Sequence, residues 1–118
     1  MIEPIVEALR AHRFRATGEL VLQDALAEAL EAMLPGGVRR EMDLSPHGRI
    51  DFFLPELRAG IEVKVDGAAT AVTRQLMGYA RHEAIGELVL VTTRSAHLAV
   101  PGTLNHKVIH HVHLWRHL

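Results

Sequence analysis

Two periods of hydrophobic and polar residues divide this chain into segments. Five segments have the pattern of strands: 38–44, 49–54, 59–65, 87–93 and 107–115. Three segments have the apolar spacing of helices: 4–14, 18–34 and 69–82. Pro4 suits a first helical turn, Thr17 is the expected N-cap of the second helix, and Pro35 ends that helix.

The order of these segments predicts an α/β fold. The strands between 38 and 65 are separated by short turns, which predicts an antiparallel meander. A strand, a helix and a continuously apolar strand follow one another between 60 and 93, which predicts a parallel, right-handed crossover. We expect a single domain over residues 1–118, with a mixed sheet of about five strands flanked by helices and the last strand at an edge.

Composition and net charge exclude or disfavour several classes of protein. The chain has 118 residues, 48% hydrophobic and 23% charged, and no cysteine, so disulfides and thiolate sites are excluded. The net charge of −1 disfavours a protein that coats nucleic acid electrostatically, but it does not disfavour one that cuts it. No apolar run approaches the length of a bilayer span and the N-terminus does not have a signal-peptide pattern. We therefore expect a cytoplasmic protein with no membrane partner.

Acidic residues are expected to meet between two adjacent strands. Alternation places Ile50, Phe52 and Leu54 on one face, with Asp51 on the other. If this strand pairs with 59–65 around a turn near residues 56 and 57, Asp51 lies opposite Glu62, with Cβ atoms roughly 5 Å apart. The alternative is an ordinary solvated face of polar residues.

Positive charge is needed where two carboxylates meet. Lys64 shares a face with Glu62 and supplies one positive charge. A divalent cation would supply two more, and hard oxygen ligands favour Mg²⁺ or Mn²⁺ over Zn²⁺.

The second helix carries an acid on its apolar side. Glu19 shares a face with Leu22, Gln23 and Leu26 by its spacing. A core-facing carboxylate is unfavourable unless it is paired or bound to metal. The alternative is an acid near a helix N-terminus, which the helix dipole stabilises by itself.

The third helix carries two polar residues one turn apart. Gln75 and Tyr79 lie together along its side, and Arg74 and Arg81 lie on a more polar face. The alternative is that Tyr79 belongs to the core, Gln75 to its boundary and the arginines to the solvated surface.

Taken together, these residues resemble the motifs of the PD-(D/E)XK nuclease superfamily. The match consists of Glu19 on a leading helix, Asp51 on a strand, E-x-K at 62–64 on the next strand and Q-x-x-x-Y at 75–79 on the following helix. It extends over residues 17–93, and Ile50 replaces the proline of the family name. The features resemble Holliday junction resolvase-like, RecB-like and virus-type replication–repair nuclease domains. The resemblance implies a restriction-endonuclease-like three-layer fold.

The resemblance also implies an activity. It implies a metal-dependent nuclease that hydrolyses phosphodiester bonds in DNA, expected to be an endonuclease of DNA repair, recombination or phage DNA processing. Asp51, Glu62 and the backbone carbonyl of Val63 would hold Mg²⁺ or Mn²⁺, and Glu19 would complete the metal's shell directly or through water. Lys64 would position the attacking water or stabilise the developing negative charge.

Further roles follow from the same resemblance. Gln75 would orient the catalytic lysine or a substrate phosphate, and Tyr79 would support the site. Arg49, Arg74 and Arg81 are the candidates for contacts with backbone phosphates.

Two other functions remain open. One is a nuclease fold without catalysis, used for binding or assembly. The other is a zinc site formed by histidines near the C-terminus: His110, His111, His113 and His117. A homodimer is also expected, with the apolar edge at 108–115 as its interface unless the first helix covers that edge.

Overall fold

The computed structural model describes residues 1–14 and 18–114 and has an α/β fold. The helices of the described residues are α1 (Glu3–Ala11), α2 (Glu19–Met33) and α3 (Ala69–Ala80). Their strands are β1 (Arg39–Asp43), β2 (Arg49–Leu54), β3 (Ala59–Lys64), β4 (Glu87–Thr92), β5 (Thr103–Leu104) and β6 (Lys107–His113). Two 3₁₀ helices complete the described elements, at Pro55–Leu57 and Ser95–Ala99.

The strands form one mixed sheet in the order β1-β2-β3-β4-β6-β5. The predicted meander is confirmed, because β1, β2 and β3 pair antiparallel. The predicted parallel crossover is confirmed too, because β3 pairs in parallel with β4 across α3. The expected edge position of the last strand is wrong in detail: β6 lies between β4 and the short β5.

Helices cover both faces of the sheet and create two hydrophobic cores. On one face α1 and α2 pack against residues of the central strands, among them Phe52, Ile61, Val63, Val89 and Val91. On the other face α3 packs against Ile50, Phe53, Leu88, Leu90 and Ile109. The apolar run of β4 therefore contributes to both cores, as expected for a strand buried on both sides.

The helix ends differ slightly from the predicted ones. Pro4 lies in the first turn of α1, as predicted, but this helix ends at Ala11 because His12 has an extended backbone. The helix α2 begins at Glu19 with Gly18 at the N-cap position. The predicted cap, Thr17, lies outside the described residues.

The alternation of β2 breaks at Asp51. Phe52 and Leu54 face the α1–α2 core, but Ile50 faces the α3 core. The prediction that all three share one face was therefore wrong. The β1–β2 register places Glu41 opposite Asp51, and Glu41 has a φ of 51°, a left-handed conformation that interrupts regular pleating. Asp51 thus lies where β2 changes from one core to the other.

The α1 helix lies close to the final strand. Arg10 donates two hydrogen bonds, from Nε and one Nη, to the carbonyl of His111 at 3.3 and 2.9 Å. Val108 remains half exposed, and Trp115 lies outside the described residues. Of the two alternatives for this edge, the contacts favour coverage by the first helix.

Candidate active site

Two carboxyl groups meet where the pairing of β2 and β3 stops. The backbone partners run from Leu54–Ala59 to Phe52–Ile61, which is the predicted register. At the next position the Asp51 N–H donates to Glu62 Oε1 at 3.1 Å. The Val63 N–H in turn donates to Asp51 Oδ2 at 2.8 Å. Side-chain carboxylates thus occupy the end of the ladder, and each binds backbone of the opposite strand.

Burial raises the pKa values of both carboxyl groups. Glu62 is 3% exposed, and burial together with the negative charge of Asp51 raises its pKa to about 8. Burial also raises the pKa of Asp51, against the lowering effect of the Val63 N–H. The pair therefore holds a proton near neutral pH unless additional positive charge is brought to it.

Lys64 is the cation of the site. Its Nζ lies 3.5 Å from Glu62 Oε2, and its side chain is partly exposed. It therefore borders both the buried carboxyl group and the solvent. The structure brings Asp51, Glu62 and Lys64 together at one end of the β2–β3 pair.

The residue of α2 that bonds to the carboxyl pair is Gln23. Gln23 Nε2 donates to Asp51 Oδ1 at 3.3 Å. Glu19, one turn earlier, is partly exposed and forms no hydrogen bond or ion pair with the described residues. The i+4 spacing puts Gln23 on the same helix face as Glu19. Its uncharged amide, however, gave no reason to choose it over Glu19 as a site residue.

The residues of α3 join the site through β2. Gln75 Nε2 donates to the Tyr79 hydroxyl at 2.9 Å, and that hydroxyl donates to the Arg49 carbonyl at 2.7 Å. Burial, followed by the negative charge of Glu62, raises the pKa of Tyr79. Gln75 was expected to orient Lys64 or a substrate phosphate; among the described residues its amide bonds to Tyr79 and not to Lys64.

The three arginines named from the sequence lie on the surface. Arg49, Arg74 and Arg81 are all exposed, and no described residue accepts a hydrogen bond from their side chains. The part of Arg49 that enters the site network is its backbone carbonyl. Their surface positions leave these side chains accessible to a large ligand.

The C-terminal histidines have separate partners. His110 Nε2 pairs with Glu87 Oε1 at 2.7 Å, and His111 Nε2 bonds to the Val100 carbonyl at 2.8 Å. His117 lies outside the described residues. Within 1–14 and 18–114, no group of three or more histidine, aspartate or glutamate side chains is arranged to hold a metal ion.

Two further residues near this edge were not anticipated. Glu41 lies opposite Asp51 in the β1–β2 register, and its charge raises the pKa of that aspartate. Arg94, which follows β4, pairs with Asp66 at 3.1 Å. Neither has a local sequence pattern that marks it, since both positions depend on strand register.

Comparison with known proteins adds no identification. Protein-family models, curated proteins and solved structures gave no match to this chain. None of the helices in the described part of the chain combines the length and the apolar character needed to cross a bilayer.

Proposed function

We propose that this chain is a metal-dependent nuclease that hydrolyses phosphodiester bonds in DNA. The observation that carries the proposal is the convergence of Asp51 and Glu62 from two strands with Lys64 beside them. The mixed sheet with helices on both faces supports the finer proposal of a restriction-endonuclease-like fold. The sequence resemblance supports the same conclusion independently of the contacts.

The donor set suits Mg²⁺ or Mn²⁺. Two adjacent carboxyl groups with raised pKa values are a site where positive charge is stabilising. Mg²⁺ commonly takes one or two carboxylates and fills its other positions with water and substrate phosphate, so a third acidic side chain is not required. Asp51 and Glu62 would hold the ion, with the Val63 carbonyl as a further ligand. Bound there, the ion supplies a water of lowered pKa and positive charge for the phosphate.

The remaining residues stabilise negative charge or hold the groups of the site in place. The Lys64 ammonium group would contact the attacking water or a phosphate oxygen, where it stabilises developing negative charge. Gln23 holds one Asp51 oxygen and the Val63 N–H holds the other, which fixes the orientation of that carboxylate. Tyr79 and Gln75 hold the Arg49 carbonyl and with it the start of β2.

The decisive experiment uses the two lysines of the chain, Lys64 and Lys107. Purified protein is incubated with labelled single strand, duplex, flap and four-way junction DNA in Mg²⁺ or Mn²⁺. Cleavage is expected for the wild type and for Lys107→Ala, whose amine binds the His82 carbonyl at the other end of the sheet. Lys64→Ala is expected to cut roughly 10²- to 10³-fold more slowly. Equal cutting by Lys64→Ala would remove the proposed role.

A binding module without catalysis is the second candidate. Two observations on the described residues favour it: the side chain of α2 that bonds to Asp51 is Gln23 and not Glu19, and no group of three or more histidine, aspartate or glutamate side chains is arranged to hold a metal ion. A folded wild type that cuts none of these DNA forms with either metal would establish it in place of the nuclease.

Cellular context is also part of the proposal. We place the protein in the cytoplasm, in DNA repair, recombination or phage DNA processing, as a homodimer on DNA. Sedimentation velocity with and without duplex DNA tests the dimer. The expected result is a molecular mass twice that of the single chain.

A further inference from the structure

A groove opens next to Lys64 at the carboxyl ends of two parallel strands. Lys64 and Thr92 are register partners in β3 and β4, and the Thr93 N–H donates to the Lys64 carbonyl at 3.4 Å. Beyond them lies an open groove of about 330 Å³, lined by Val65, Asp66, Thr93 and Arg94. Ligands of open α/β sheets commonly bind outside the carboxyl ends of the strands.

A buried network fixes both loops that form the groove. His97 is fully buried, and its Nε2 lies 2.7 Å from the Gly67 carbonyl, which can only accept, so Nε2 carries a proton. Its Nδ1 bonds to the Thr92 hydroxyl at 2.6 Å, and that hydroxyl accepts the Arg94 N–H at 3.0 Å. The loop after β3 and the loop after β4 are thereby joined, so the groove is held in one shape.

Arg94 presents unused donors to this groove. One nitrogen of its guanidinium donates to Asp66 Oδ1, and the side chain makes no other hydrogen bond with the described residues. Both partners are well exposed, at 46% and 87%, and such pairs contribute roughly 0–1 kcal/mol. A stronger acceptor can therefore replace Asp66 at little cost.

A second group in the groove lacks a partner. The Thr93 hydroxyl is buried and has no hydrogen-bond partner among the described residues. Such groups are uncommon in folded proteins because an unpaired hydroxyl is unfavourable. An oxygen atom of a ligand in the groove would give it a partner after a rotation about the Cα–Cβ bond.

We propose that this groove binds one backbone phosphate of a polynucleotide, with Arg94 as the main donor and Asp66 as the group that competes for it. The guanidinium fork matches the geometry of phosphate oxygens, and Lys64 lies at the same end of the parallel strands. The inference rests on the proposed nuclease function, since the phosphate would belong to the strand that enters the site. It assigns substrate contact to Arg94, which was not among the arginines named from the sequence.

The proposal predicts opposite effects for the two members of the pair. Arg94→Ala is expected to weaken oligonucleotide binding roughly 5- to 20-fold and to lower the slope of log K against log salt by about 1. Asp66→Asn is expected to tighten binding roughly 2- to 5-fold, because the competing carboxylate is gone. Arg94→Lys keeps the charge and is expected to bind between wild type and Arg94→Ala.

Matched controls come from α1. Arg10 and Glu7 form an ion pair of 2.7 Å with an almost identical arginine exposure of 47%. Arg10→Ala and Glu7→Gln change the net charge by the same amounts as the groove variants. Binding is measured by fluorescence anisotropy of labelled single-stranded and duplex oligonucleotides in EDTA at several salt concentrations, after circular dichroism has verified folding.

Each outcome bears on a different statement. Opposite shifts at Arg94 and Asp66, absent at Arg10 and Glu7, support the groove even if no metal-dependent cutting is found, in which case only the nuclease proposal fails. If both groove variants bind with the affinity and salt slope of the wild type, the proposed phosphate site is overturned, even when the wild type cuts DNA. Equal effects in the α1 pair also overturn it, since net charge then explains them. A wild type that binds neither oligonucleotide in EDTA overturns the groove, whereas the nuclease proposal is decided by the cleavage assay with Mg²⁺ or Mn²⁺.

Discussion

At the scale of single residues, burial decides the charge of the site, because it raises the pKa of Glu62. Glu62 would ionise near pH 4.5 in an unfolded chain, but its pKa in the fold is about 8. The folded state therefore binds more protons than the unfolded state between these values. Stability linked to this group is fully present below pH 4.5 and is lost as the pH rises through 8.

Replacing Glu62 by glutamine removes this pH dependence. In EDTA, Glu62→Gln is expected to be close to the wild type in free energy of unfolding at pH 5 and to exceed it at pH 8.5 by up to roughly 5 kcal/mol, since the pKa is raised from 4.5 to about 8 and a pKa unit corresponds to about 1.4 kcal/mol. Urea unfolding at both pH values measures the difference. An equal difference at the two pH values would show that Glu62 is not the group responsible.

Gln23 and Glu19 give the second prediction for single residues. Gln23→Leu removes the donor to Asp51 Oδ1, so the pKa of Asp51 should rise further and Mn²⁺ binding should weaken roughly 10-fold. Glu19→Gln should leave both quantities unchanged. Carboxyl NMR titration and calorimetry measure them, and the reverse pattern would return the role to Glu19.

At the scale of elements, two loops form the groove next to the candidate site. The segments after β3 and β4 are joined by Thr92 and His97, both of which are fully buried and hydrogen-bonded. A buried polar network of this kind specifies one arrangement of two otherwise independent loops. The parallel pairing of β3 and β4 brings these loops to the same edge as Lys64.

The variant Thr92→Val tests the hydrogen bonds that join the two loops. It leaves the Arg94 N–H and His97 Nδ1 without their partner, so it is expected to lower the free energy of unfolding by roughly 2–3 kcal/mol. Thr73→Val is the control, because the Thr73 hydroxyl bonds only to the Ala69 carbonyl within α3, and the expected loss is below about 0.5 kcal/mol. Equal losses in urea unfolding would contradict a special role for Thr92.

At the scale of the whole molecule, the sheet separates two cores. Leu26 and Leu76 are both fully buried, one under α2 and the other under α3. The candidate site receives Gln23 from one helical layer and Tyr79 from the other, at the edge where the cores adjoin. Both layers therefore support the site, and the sheet lies between their packed side chains, so we expect the two cores to contribute independently to stability.

A double-mutant cycle measures this independence. Leu26→Ala and Leu76→Ala are each expected to destabilise the fold by roughly 2–5 kcal/mol. Because the sheet lies between them, the double variant should equal the sum within about 0.5 kcal/mol. A coupling energy above about 1 kcal/mol in denaturant unfolding would show that the sheet transmits strain between the cores.

Much of the fold was predictable because its periods are local. The alternation in β3, the apolar run of β4 and the stripe of Val72, Leu76 and Tyr79 on α3 depend only on residues a few positions apart. The face of Ile50 was not predictable, since the break at Asp51 arises where β1 pairs with β2 and Glu41 adopts a positive φ.

The sequence by itself determined the α/β class and the strand and helix order, because patterning and turn length specify these. The register that brings Asp51 to Glu62 was a conditional prediction, and the observed β2–β3 pairing confirms it. Only the tertiary structure decided that Gln23 rather than Glu19 contacts the aspartate, that Gln75 binds Tyr79 and that Arg94 lines a groove beside Lys64. The reason is geometric: such contacts depend on helix rotation and on which strand ends adjoin. Both are set by packing between segments far apart in the chain.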